Sequence, residues 1–404
     1  MSTHDRRSCI MPPYLLEKLI DSDDSAIRAA AVRTLATSAE LRGERELRPA
    51  LSRNTGSEGG RRTIFDSHHQ ESFSSAQMVR TESSPPSTDE SVNRAFDGLG
   101  TTRQFYADVF NRDSIDDAGM PLDGYVHYSE DYNNAFWDGQ RMVFGDGDNK
   151  VFTDLTGSLD VIGHELTHGV TERTAGLIYH NQPGALNESI SDVFGSLVKQ
   201  WFNKQTAAEA DWLIGVDVFT PGIEADALRS MKAPGTAYNN RLMGQDPQPA
   251  HMHDFKVLPD TMRGDYGGVH VNSGIPNHAF YLAATNIGGN AWEAAGHIWY
   301  ESLRATNSTA QFQDFAETTV AKAAQLYSTG GTEHIAVQQA WEQVGVHVAG
   351  LLPRAIPAPS QGSLDEMTKR IEELTAEVRA LSQLVRDRSA QAKAAPRRKT
   401  GVGS

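Results

Sequence analysis

Cysteine is almost missing from this 404-residue chain: Cys9 stands alone, so an intramolecular disulfide and a cysteine-cluster zinc site are both excluded. Basic residues are scarce relative to acidic ones, 37 Lys and Arg against 52 Asp and Glu, for a formal charge of -15. Nucleic-acid binding draws most of its affinity from cations placed on phosphates, so no nucleic-acid partner is expected. No apolar run approaches the roughly 18 to 20 residues that cross a bilayer, and no membrane partner is expected either. The opening MSTHDRRSCIMPPYLLEKL has a basic pair but no apolar run followed by a small-residue cleavage site. The expectation is cytoplasmic synthesis without a standard signal peptide, any secretion using another route. Core-forming residues are plentiful: 39% of the chain is hydrophobic, with six Trp, fifteen Phe and eleven Tyr.

The pattern divides the chain into six parts. Residues 1–60 hold a helical segment, with Leu15, Leu16, Leu19, Ile20, Ile27, Ala31 and Leu35 at amphipathic spacing after Pro12-Pro13. It ends in a Gly- and Arg-rich junction open to proteolysis, Asn54 to Arg62. Residues 61–157 carry short Val-, Tyr- and Phe-rich runs such as Gly124–Tyr128 and Arg141–Phe144, predicting a mostly β lobe. Residues 158–348 carry longer helix-period segments, Ser158–Thr174, Ser189–Phe202 and Pro276–Ile287 among them, predicting an α lobe. The fold class is therefore α+β, two-lobed. Residues 349–362 form a Pro-rich linker, 363–388 a coiled-coil segment and 389–404 a disordered basic tail. Leu364, Met367, Ile371, Leu374, Val378, Leu381 and Val385 alternate spacings of three and four, which predicts a homo-oligomer through 364–385.

His164-Glu165-Leu166-Thr167-His168 lies inside an apolar-periodic helix. Residues four apart share a helix face, so both imidazoles can reach one Zn²⁺ with Glu165 beside it as general base. Catalytic zinc takes three protein ligands and keeps a fourth position open for water. Glu188, in Asn187-Glu188-Ser189-Ile190-Ser191-Asp192 on the next helix, supplies the third. Thr171 and Thr174 stand where a metzincin needs Gly and His, which removes that branch. These residues point to metal-assisted hydrolysis in which Glu165 moves the proton from water to the departing amine.

With HELTH, NESISD, Asn133-Asn134-Ala135-Phe136-Trp137 and Gly267-Gly268-Val269-His270-Val271-Asn272-Ser273-Gly274 in one order, residues 63–348 resemble the thermolysin family of neutral metallopeptidases. The resemblance implies an endopeptidase acting on polypeptides. It implies that Asp192 and Asn187 orient the zinc histidines, that His270, held by Asp265, and Tyr179 stabilise the oxyanion, and that Asn134, the Ala135 carbonyl and Arg229 hold the substrate backbone. It also implies that Phe152, Leu155, Val161, Ile214, Val218 and Leu228 line an apolar pocket for the side chain after the cut. Family members carry a double calcium site in the α lobe. Here only Asp160 and Asp211 remain of its five carboxylates, with Lys199, Leu213 and Val216 at the others, so that site is expected to be absent and Lys199 to neutralise the two aspartates. Phe219, Thr220, Ile223 and Asp226 match a separate loop site for a single calcium.

The short leading segment with Pro12-Pro13-Tyr14 resembles the protealysin subgroup and implies a latent precursor inhibited by its own pro-segment. Two mechanisms fit that latency: packing of the segment in the cleft, or ligation of the zinc by the Cys9 thiolate. Two competing functions are a zinc aminopeptidase and an inactive scaffold oligomerising through its tail. The first would need a G-x-M-E-N segment, which is missing, and the second would have lost Glu165 or a ligand, all of which are present.

Overall fold

Five strands form a mixed sheet in the order β2-β1-β3-β5-β4: β1 (Arg62–Asp66), β2 (Gln77–Thr81), β3 (Leu122–Val126), β4 (Ala135–Trp137) and β5 (Arg141–Phe144). The central pairs β1–β3 and β3–β5 are parallel, while β2 and β4 close the two sides antiparallel. The structure, a computed structural model, describes residues 9–47 and 60–348. The expected linker, coiled coil and basic tail, and most of the junction at 54–62, lie outside the described residues.

Ahead of the sheet run α1 (Pro13–Ile20) and α2 (Ser25–Leu47). The expected "mostly β" lobe also contains a 21-residue helix, α3 (Glu90–Phe110), whose first turn is capped by the Asp89 carboxylate accepting from the Ser91 N–H at 2.8 Å. After it come α4 (Leu159–Glu172), α5 (Asn181–Asn203), the short pairs β6 (Leu213–Ile214) with β7 (Arg229–Ser230) and β8 (Asn239–Asn240) with β9 (Gly244–Gln245), and five helices. These are α6 (Asp265–Asn272), α7 (Gly274–Ile287), α8 (Ala294–Ala305), α9 (Phe312–Leu326) and α10 (Thr332–Gln343). Sheet and helices thus occupy successive parts of the chain, the two-lobed α+β arrangement. Among the described residues no helix is long and apolar enough to cross a membrane.

Every residue of α4 from Asp160 to Thr171 is buried, so its His and Glu side chains must be paired or ligated. The crossing of α4 on α5 is set by two glycines: a Cβ on Gly163 would lie 3.0 Å from the Gly195 Cα, and one on Gly195 would lie 2.4 Å from the Asp160 carbonyl oxygen. Nothing larger fits, and this close approach lets Glu188 of α5 reach the histidines of α4.

Candidate active site

His164 and His168 present their Nε2 atoms 3.0 Å apart, each 3.5 Å from a carboxylate oxygen of Glu188. Their Nδ1 atoms are spoken for. That of His164 donates to Asp192 Oδ1 at 2.8 Å, and that of His168 to Asn187 Oδ1 at 2.7 Å, with the Asn187 amide turned by its Nδ2 bond to the Leu177 carbonyl. Protons on both Nδ1 atoms leave bare lone pairs on both Nε2 atoms, facing each other and a buried carboxylate whose Oε2 has no hydrogen-bond partner. Three acceptors crowded in a dry site repel one another unless a cation sits among them. Their separations match the roughly 3.3 Å edge of a tetrahedron with bonds of about 2.0 Å to zinc. The residues therefore fit Zn²⁺, and among the described residues this is the one group of three or more His, Cys, Asp or Glu that could hold an ion.

Behind the ligands, Asp192 is gripped by Arg229 through Nε at 2.8 Å and NH2 at 2.7 Å, and by Asn277 Nδ2 at 2.9 Å. Burial alone would raise the Asp192 pKa, but Arg229 and His164 outweigh it and hold it well below the usual range. Burial and the neighbouring His164 push His168 down, which keeps its imidazole neutral and able to ligate. Glu165 lies on the same helix with Oε2 accepting from the Trp137 N–H at 3.0 Å and Oε1 buried without a partner. Burial, then the charge of Glu188, push its pKa well up, while the amides of Trp137 and Ile10 pull the other way. A raised carboxyl suits a group that must both take and return a proton.

Opposite stands His270. Its Nδ1 is 2.6 Å from Asp265 Oδ1, and Asp265 Oδ2 also accepts from the His270 N–H at 2.8 Å. Burial lowers the His270 pKa, but Glu188 and Asp265 reverse that and lift it to about 9. Its aim is fixed by four successive residues at positive φ, Asp265 (52°), Tyr266 (51°), Gly267 (83°) and Gly268 (80°). The two non-glycines cost about 1–2 kcal/mol each in this conformation. The Tyr179 hydroxyl is 3.3 Å from His270 Nε2 and donates to Glu188 Oε1.

Into this site runs the start of the described chain. The Cys9 carbonyl oxygen is 2.9 Å from His270 Nε2, Arg229 NH1 donates to the Ile10 carbonyl at 3.0 Å, and the Met11 N–H donates to Asn134 Oδ1 at 3.1 Å. Cys9 forms an antiparallel bridge with Phe136, adding a short stretch to the open edge of β4, where Ala135 also lies. Of the two latency mechanisms, the described contacts are those of packing. The Cys9 thiol turns to the Met11 carbonyl at 3.6 Å and is not in the ligand group, so the part of Cys9 that faces His270 is its carbonyl. Downstream, Thr34 accepts from the Asn133 N–H at 3.0 Å, Ser38 pairs with the Tyr132 hydroxyl at 2.9 Å, and Tyr14 bonds Tyr238.

The six residues expected to line an apolar pocket, Phe152, Leu155, Val161, Ile214, Val218 and Leu228, are all buried in one cluster that also contains Ile10 and Met11. Lys199 Nζ bonds Asp160 at 2.8 Å, Asp211 at 3.2 Å and the Leu213 carbonyl at 2.8 Å. In the 219–226 loop the Thr220 hydroxyl donates to the Lys150 carbonyl, Phe219 bridges Phe152, the Ile223 N–H donates to the Thr220 carbonyl and the Asp226 N–H to that of Ala237. Sequence reasoning missed Asn277, the Trp137 amide and residues 10 and 11. Asn277 carries no motif and meets Asp192 from 85 positions away, and Trp137 acts through a backbone amide that no side chain reports.

Fold and site together define a zinc metalloendopeptidase with a His-His-Glu metal set. The chain belongs to the thermolysin metallopeptidases: the model of that family's catalytic domain matches residues 52–172 and that of its α-helical domain residues 175–346. More particularly, the chain is similar to the precursor of protealysin, a metalloproteinase from Serratia proteamaculans, with a TM-score of 0.76 and 48% identity over 84% of this chain and 99% of that one. It is 47% identical over 341 residues to an extracellular metalloprotease of Pectobacterium carotovorum subsp. carotovorum, covering 84% of this chain and 96% of that protein. A bacillolysin of Bacillus cereus is 46% identical over 257 residues, 61% of this chain and 42% of that protein.

Proposed function

We propose that this latent endopeptidase cuts internal peptide bonds on the amino side of bulky hydrophobic residues, and that its own first residues hold it off by lying in the cleft as a substrate would. The observation that carries the reading is the run of contacts from the Cys9 carbonyl on His270 to the Met11 amide on Asn134. Ile10, fully buried between them, is the kind of side chain such a pocket takes. A zinc ion on His164, His168 and Glu188 would supply a Lewis acid for the carbonyl and an acidified water. Glu165 takes the proton of the attacking water and hands it to the leaving nitrogen. His270, oriented by Asp265, and Tyr179 donate to the carbonyl oxygen as negative charge develops there. Arg229 and Asn134 fix the chain on the leaving-group side, and β4 provides the strand edge along which it lies.

The same reading replaces the double calcium site by the Lys199 ammonium, supported by its bonds to Asp160 and Asp211. A single calcium in the 219–226 loop would take the Asp226 carboxylate and backbone carbonyls, the Thr220 hydroxyl being committed to Lys150. Self-association through 364–385 completes it, supported by the heptad spacing. Cleavage of internally quenched peptides that vary only the residue after the cut tests the specificity: Leu, Ile and Phe are expected to exceed Asp by more than about a hundredfold, since a buried unpaired carboxylate costs several kcal/mol. Hydrolysis confined to peptides with a free amino terminus would refute the endopeptidase reading in favour of an aminopeptidase.

A further inference from the structure

The contacts of residues 9–11 do more than fill the cleft; they select one bond. The Cys9 carbonyl sits on His270, and Cys9 bridges Phe136, the residue before Trp137, whose N–H holds the Glu165 carboxylate at 3.0 Å. One peptide unit therefore lies between the group placed to stabilise an oxyanion and the group placed to move a proton. The next carbonyl, that of Ile10, is held by Arg229, and the next amide, that of Met11, by Asn134. Chain direction agrees with the order of these holds, because the segment runs antiparallel to β4 at Phe136. Ile10 and Met11 are both 0% exposed, so the register is set by buried side chains as well as by the backbone. A segment that merely obstructed the cleft would need none of these alignments.

We infer that the Cys9–Ile10 peptide bond is the enzyme's own first substrate, a self-cleavage site inside the pro-segment that is distinct from the Gly- and Arg-rich junction. The inference rests on the endopeptidase reading above. In the cut, water adds to the Cys9 carbonyl carbon, the C–N bond to Ile10 breaks, and Glu165 carries the water's proton to the Ile10 nitrogen. One water is consumed, and a Cys9 carboxylic acid and an Ile10 amine result, the acid then passing its proton to the amine. The peptide Met1–Cys9 is freed. Ile10 to Pro13 is not freed, since it continues into α1 and α2, which stay docked by contacts such as Thr34 with Asn133 and Arg33 with Asp131. A product tethered so closely faces the cleft at an effective concentration of about millimolar or more, so the nicked protein stays latent. Activity requires a second cut, at the junction.

The single cysteine makes the test direct. Full-length protein grown with 1-¹³C-cysteine carries one labelled carbonyl, that of Cys9. In the zinc-loaded chain its signal should change from amide to carboxylate as intact mass falls by residues 1–9, leaving Ile10 as the new N-terminus with the junction still whole. Ile10→Gly should slow this step by about tenfold or more, the range expected for losing a side chain from an apolar pocket. In full-length Glu165→Ala the bond should survive, and adding zinc to the metal-stripped variant should shift the labelled amide signal without any cleavage. An intact Cys9–Ile10 bond, or a cut elsewhere among residues 1–12, in a chain that cleaves a quenched peptide or its own junction overturns the inference and leaves the endopeptidase reading standing. A zinc-loaded chain that does none of these overturns both.

Discussion

Replacing Ile10 by Asp separates plugging of the cleft from docking of the pro-segment. The wild-type side chain is 0% exposed, and its burial contributes about 2–3 kcal/mol. An aspartate there loses that term and puts a carboxylate into the apolar cluster that holds Ile10. Adding charge burial, residues 9–11 should leave the cleft at a cost of at least about 4 kcal/mol, a shift of about a thousandfold in occupancy. The docking of α2 is untouched, because Thr34, Ser38 and Arg33 meet segments 131–133 away from the metal ligands. The assay is hydrolysis of a quenched peptide by uncut full-length protein, with intact mass verifying that the junction is whole. Ile10→Asp should be active before processing while wild type is silent. Equal latency of the two uncut proteins would refute the assignment of inhibition to residues 9–11.

Cys9→Ser should keep full latency, because the contact with His270 is made by the backbone carbonyl; early activity in that variant would restore the thiol as a ligand. Lys199→Met should lose about 2–3 kcal/mol, less than a fully buried pair because Asp211 is 44% exposed. Millimolar calcium should restore part of that loss, raising the melting temperature of Lys199→Met by more than that of wild type; an equal calcium effect on the two proteins would contradict the Lys199 substitution. His127 is held between Asp146 and Asp89, both at 2.9 Å, and hydrogen bonding to Asp146, against burial, lifts its pKa to about 9. A group raised above its unfolded value stabilises fully below about pH 6.5 and loses that effect as pH rises through about 9. With the ring 18% exposed and partly screened, His127→Gln should cost about 1–2 kcal/mol at pH 6 and little at pH 10 in urea titrations; a pH-independent cost would refute the pairing.

The metal ligands were legible because a helix brings residues four apart to one face, so His164 and His168 declare their geometry in the spacing. Glu188 was legible as the carboxylate of the following helix, but how it comes within 3.5 Å of them was not: that depends on Gly163 and Gly195, which carry no chemistry of their own. Of the strands, the run Arg141–Phe144 was read to the residue and Gly124–Tyr128 overlaps β3, whereas α3 was absorbed into a β lobe. Gly98, Gly100 and Thr101-Thr102 dilute its helical pattern, and Gly98 is there because a Cβ would meet Ile162 of α4 at 2.4 Å. The leading segment was readable as a helical inhibitor, but its register was not. Nothing in Cys9-Ile10-Met11 signals that the carbonyl rather than the thiol meets His270.

The chemistry rests on zinc held by His164, His168 and Glu188, with Glu165 as proton carrier. It is tested most directly by measuring metal content and quenched-peptide hydrolysis on the same processed samples of wild type and Glu165→Ala, the variant being processed by an added protease. Wild type should contain one zinc per chain and lose activity with it under a chelator. The variant should keep its zinc and fall by about four orders of magnitude or more in rate, the scale of general-base catalysis and above. Activity retained in zinc-loaded Glu165→Ala, or in wild type stripped of metal, would rule this chemistry out.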